Sequence, residues 1–89
     1  MIETQVTLSN KLGLHARASA KLVAIASRYQ CQIELCRDTK TINAKSIMGV
    51  MMLAASNGTT LTLRVDGPDE DHASETISNL INDKFGEGE

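Results

Sequence analysis

Ile2, Thr4, Val6 and Leu8 alternate with Glu3, Gln5 and Thr7, the period-two pattern of a strand with one buried face, so residues 2–8 are predicted as the first strand. Ser9 to Gly13 then reads as a loop in which Asn10 and Gly13 suit tight backbone turns. After His15 the period changes. Ala16 to Arg28 is Ala-rich with good helix propensity, and Ala18, Leu22, Ile25 and Tyr29 follow the spacing of a buried stripe. Arg17, Lys21, Ala24 and Arg28 form a mainly basic stripe that should face water.

Alternation returns where Cys31, Ile33 and Leu35 interleave with Gln32, Glu34 and Cys36. The run Arg37 to Lys40 can turn the chain into a partner strand around Thr41 to Asn43, giving a hairpin. Ser46 is a good cap for a second helix, with Ile47, Val50, Met51 and Ala54 at near-helical spacing. Gly49 weakens that helix and no acidic residue completes a capping box, so it should be short. Leu61, Leu63 and Val65 mark a further strand, and a Gly67, Pro68 turn leads to a helix through Ala73, Ile77, Leu80 and Ile81. The order βαββαβα predicts an α+β fold, an open-faced two-layer sandwich with one four-stranded antiparallel sheet covered on one face by three helices. Gly86 to Glu89 is expected to fray and shows no evident chemistry.

Composition narrows the functional classes. With 89 residues and no composition shift, residues 1–89 are expected to form a single domain. A chain this size buries roughly 60–65 % of its unfolded surface, which leaves little interior for an enclosed site, so its chemistry should lie on the surface. Nine Lys and Arg against eleven Asp and Glu, with Tyr29 and Phe85 as the aromatics, offer neither a basic track nor a stacking platform, and nucleic acid is not an expected partner. No apolar stretch reaches the roughly 20 residues of a membrane helix, and Met1 runs directly into the first strand pattern. A cytoplasmic protein without membrane insertion is expected. Cys31 and Cys36 lie at odd separation in one strand, on opposite faces and about 16 Å apart, beyond disulfide reach. Cys31 is expected in the core and Cys36 nearer the surface, both as thiols.

The candidate chemistry gathers at His15. It stands between the Gly13, Leu14 loop and the first helical residues, where unpaired backbone N–H groups can hold an anion. Arg17 lies in the first turn, an unfavourable place for a cation unless an anion is bound there. A neutral imidazole can attack phosphorus, and the backbone N–H groups of Ala16 and Arg17, with the Arg17 guanidinium, can then support the phosphate. His72, by contrast, follows Asp69, Glu70 and Asp71, whose carboxylates oppose phosphate, and it has no companion Cys or His for a metal. It is expected to be structural or solvent-facing. No metal site and no cofactor are predicted.

The segment Asn10, Lys11, Leu12, Gly13, Leu14, His15, Ala16, Arg17 resembles the active-site signature of HPr, the histidine-containing phosphocarrier family of the bacterial phosphoenolpyruvate-dependent phosphotransferase system. Asn43, Ala44, Lys45, Ser46, Ile47, Met48, Gly49 resembles that family's second characteristic region, and the resemblance extends over nearly the whole chain. It implies that His15 is phosphorylated on Nδ1 by phosphorylated enzyme I, that Arg17 stabilises the phosphate, and that an enzyme IIA receives it. It further implies that Ser46 is a regulatory site for an HPr kinase/phosphorylase, and that Ile47, Met48, Met51 and Met52 supply a docking patch, some of them also serving the core. The expected protein is a monomeric carrier, a recycled substrate of enzymes and not an enzyme. Ala18 stands where many members have Pro, so the first turn should be slightly less rigid, with the His and Arg chemistry retained. Two alternatives stay open: a regulatory or nitrogen-branch paralogue outside bulk sugar uptake, and an interaction module without phosphotransfer.

Overall fold

The computed structural model describes residues 1–87. Its elements are β1 (Ile2–Thr7), α1 (Ala16–Ala26), β2 (Gln32–Arg37), β3 (Lys40–Asn43), α2 (Ile47–Met52), β4 (Thr60–Asp66) and α3 (Glu70–Asn82), followed by a 3-10 turn, Lys84–Gly86. The strands form one antiparallel sheet in the order β1-β4-β2-β3. Register carries the alternation of each strand into a common face. Thr4 and Leu35 both oppose Leu63, Ile2 and Ile33 both oppose Val65, and Leu35 opposes Ile42. The inward row of Val6, Ile33, Leu35, Leu61, Leu63 and Val65 is buried beneath the helices, among Ala18, Leu22, Val50, Ala73, Ile77 and Ile81. This is the predicted open-faced sandwich, and it leaves the loops at its ends free to carry chemistry.

The boundaries differ from expectation by small, explicable amounts. α1 stops at Ala26, and its fully buried stripe is Ala18, Ser19, Leu22 and Ala26, with Ile25 and Tyr29 only half-buried at its edge. Ser19 tolerates burial because its hydroxyl donates to Leu14 O at 3.2 Å. The hairpin turn is tighter than Arg37 to Lys40, because Lys40 already pairs with Arg37 and Asp38 takes a left-handed φ of 54°. Arg37 then reaches the end of α2, its Nη1 donating to Leu53 O at 2.8 Å and Ala54 O at 3.2 Å.

Two expectations are corrected. Of the residues spaced as a stripe for the second helix, Val50 alone is buried, whereas Ile47 and Met51 within α2 and Ala54 beyond its end are exposed. A helix of six residues turns fewer than two full times, so it presents one inward position, with Leu53 following it into the core. None of Ile47, Met48, Met51 and Met52 therefore serves the core. The second correction concerns the segment after α3, which is anchored rather than frayed over its described residues. Phe85 is buried in the core, Gly86 N donates to Asp83 O at 2.9 Å, and Glu87 returns to the β1–α1 loop. Truncating a buried Phe to Ala typically costs about 3–5 kcal/mol, so this is a substantial anchor. The remainder of the expected fray, Gly88 and Glu89, lies outside the described residues.

Candidate functional site

Gly13 sets the entrance to α1. Its φ is +62°, and a Cβ there would stand 2.5 Å from Ala55 O, so the loop packs backbone to backbone against the segment following α2. Leu14 N donates to that same Ala55 O at 2.9 Å, and the Leu14 side chain is buried. The next residue, His15, is thereby held at the surface in extended conformation as the N-cap of α1. Its side chain makes no cap hydrogen bond, and the first bond of the helix runs from Ser19 N to His15 O at 2.9 Å. The N–H groups of Ala16, Arg17 and Ala18 consequently have no acceptor within the helix. The first turn contains no acidic residue to occupy them.

The side chains around this helix start line an open cleft of about 670 Å³, made by Lys11, Leu12, His15, Ala16, Arg17, Lys21, Gly86 and Glu87. His15, Ala16 and Arg17, singled out from sequence, are thus brought together. Arg17 is exposed and holds no hydrogen bond or ion pair among the described residues. Lys21 donates to Phe85 O at 2.7 Å and so ties the cleft wall to the segment after α3. Three cations and one carboxylate on a rim that includes a half-buried imidazole make a site suited to a small anion.

Glu87 was missed by sequence reading. Its Oε2 meets His15 Nε2, and its Oε1 accepts from Asn10 Nδ2 at 3.0 Å. The bonds from Asn10 and then His15 hold the Glu87 carboxyl below its ordinary range. No periodic pattern links residues so distant in sequence, although an Asn in the loop and an acid two residues after the single Phe stand plainly in the chain. Leu12, exposed on the cleft rim, was likewise not assigned a role.

Ser46 is not part of the cleft. It caps α2, its Oγ accepting from Gly49 N at 3.1 Å. Ile47, Met48, Met51 and Met52 project beside it as an exposed apolar group, on a helix that packs against α1. His72 lies elsewhere, exposed on α3 and edge-on to Tyr29 with ring centroids 5.5 Å apart. Among the described residues no helix is long and apolar enough to cross a membrane, and no group of His, Cys, Asp and Glu is arranged to hold a metal ion.

Comparison with known proteins agrees with this geometry. The family described as the PTS HPr component phosphorylation site matches residues 2–83. A protein of Cupriavidus necator called Phosphocarrier protein HPr is 53% identical over 89 residues, covering 100% of both chains. A crystal structure of HPr-C-His from Thermoanaerobacter tengcongensis superposes with a TM-score of 0.95 at 45% identity, covering 98% of each chain. A second structure from that organism, described as an HPr dimer, gives a TM-score of 0.79 over 98% of this chain and 100% of that one, also at 45% identity.

Proposed function

The chain belongs to the HPr family of phosphocarriers of the bacterial phosphotransferase system, and we propose that its residues 1–89 act as one carrier domain that accepts a phosphoryl group on His15 Nδ1. The donor is phosphorylated enzyme I and the recipient an enzyme IIA, the partners that membership of the family implies. The observation that carries the reading is the uncapped start of α1. His15, the N–H groups of Ala16 and Arg17, which have no acceptor within the helix, and the Arg17 guanidinium, unpartnered among the described residues, meet there in one open cleft.

In the transfer, the Nδ1 lone pair of neutral His15 forms the new N–P bond while the bond from phosphorus to the donor breaks, its electron pair returning to the donor. The backbone N–H groups and Arg17 then support the phosphate oxygens. The open cleft allows a partner's own phosphate site to approach face to face, and the carrier is read as working as a monomer. Incubation with enzyme I and phosphoenolpyruvate, followed by addition of an enzyme IIA, tests the reading. One acid-labile phosphate should load onto the protein and then discharge. Failure to load with an active enzyme I contradicts it.

Ser46 we assign to regulation, with Ile47, Met48, Met51 and Met52 as docking surface. A phosphate on Ser46 would stand beside exposed Ile47 and Met48 and bring roughly two negative charges to an apolar contact. Phosphorylated Ser46 should slow loading from enzyme I without loss of helicity. Equal loading rates of the modified and unmodified protein would refute the assignment.

A further inference from the structure

His15 has two ring nitrogens, and among the described residues a hydrogen bond engages only one of them, Nε2, through Glu87. That carboxylate is held from several directions. Asn10 is fully buried, and its Nδ2 donates both to Glu87 Oε1 at 3.0 Å and to Gly13 O at 2.8 Å, linking the carboxylate to the turn that presents His15. Phe85 anchors the segment in the core while Lys21 holds its carbonyl at 2.7 Å, and Lys84 and Phe85 both sit at a left-handed φ of 55° to bring the chain round. Side-chain exposures of 13% for Glu87 and 25% for His15 place the pair partly out of water, where a charge on one is felt by the other.

A carboxylate only accepts, so the proton of the neutral ring is drawn to Nε2 and the lone pair is left on Nδ1. As Nδ1 forms the N–P bond the ring gives up an electron pair, retains its Nε2 proton and becomes positive. Glu87 is then a fixed counter-charge on the nitrogen opposite the reaction. When phosphate leaves, the pair returns to Nδ1 and the ring is neutral again. Lys11, Arg17 and Lys21 on the rim keep the site attractive to the anion despite this carboxylate.

We propose that Glu87, oriented by Asn10, is a positioning residue that selects the Nε2-protonated form of His15 and offsets the charge the ring acquires while it carries phosphate. This rests on the reading of His15 as phosphoryl acceptor. Two measurements on the full chain, wild type, Glu87→Gln and Glu87→Ala, test it. Long-range 1H–15N spectra of the neutral His15 ring should show the proton on Nε2 in the wild type and a detectable share on Nδ1 in Glu87→Ala. Single-turnover loading from saturating phosphorylated enzyme I should fall roughly tenfold in Glu87→Ala, with KM nearly unchanged and Glu87→Gln intermediate. Thermal unfolding should be similar in all three, since Phe85 remains as the anchor. Identical tautomers and loading rates would overturn the proposal while leaving the carrier reading intact, as would a change confined to KM. A wild-type protein that takes no phosphate on His15 would overturn both.

Discussion

The two histidines lie at the starts of two helices, and the starts differ in what occupies them. At α1 the N-cap is His15 itself, without a cap bond, followed by Ala16 and Arg17 and by no acid. At α3 the first turn holds Glu70 and Asp71, and the N-cap Asp69 accepts from the backbone N–H groups of Gln30 and Cys31 at 2.9 and 3.0 Å. The helix dipole is favourable to anions at both. At α3, whose cap likewise makes no side-chain bond to the helix, the protein's own carboxylates stand in the first turn and tie the α1–β2 loop to the helix start. At α1 the first turn holds a cation and no acid, so on the proposed reading an external anion completes the site. On the proposed reading, the His15 imidazole owes its role as phosphate acceptor to that setting rather than to being a histidine.

The strongest way to break the contrast is to remove each ring. His15→Ala should abolish loading from enzyme I while the fold persists, because the side chain is at the surface, and His72→Ala should load normally; stoichiometric phosphorylation of the first variant would end the account. Arg17→Ala tests the added cation, and loading should slow by roughly 100-fold, read by rapid quench, as the phosphate is left to backbone donors. An unchanged rate would mean that the guanidinium points away from the phosphate. Met48→Asp extends the test to the neighbouring surface. Met48 is 72% exposed, so the charge should not unfold the protein, but affinity for enzyme I should drop about tenfold, or about 1.4 kcal/mol, by calorimetry.

The smallest effect on transfer belongs to the α3 start, where Asp69→Ala should leave loading unchanged and alter stability instead. Backbone hydrogen bonds, foremost from Gln30, hold the Asp69 carboxyl below its ordinary value. A carboxyl whose folded value is depressed stabilises the fold above its unfolded value, about 3.9, and that contribution disappears as pH falls through the folded value. Asp69→Ala should therefore lower Tm by a few degrees at neutral pH, and the gap to wild type should close in strong acid. A gap that stays constant with pH would show that Asp69 acts without its charge.

How much of this was legible in sequence follows from the length scale of each interaction. The strands and the two longer helices announce themselves because their apolar residues repeat often enough to define a face, as in Leu61, Leu63 and Val65 or Ala73, Ile77 and Ile81. Six-residue α2 does not repeat, so Met51 and Ile47 looked inward when Val50 alone was. His15, Ala16 and Arg17 are neighbours in the chain, and local reasoning about a helix start finds them. Glu87 approaches His15 only because α1 and α3 pack together and Phe85 is drawn into the core, a consequence of tertiary packing with no local signature.

The open start of α1 as the seat of the phosphate is tested most directly by 15N–31P coupling in protein labelled on its histidine rings and loaded by enzyme I. The structure predicts one phosphorus, coupled to Nδ1 of His15, with the proton retained on Nε2 and His72 unchanged. Phosphorus on Nε2 of His15, or on His72, would contradict the account.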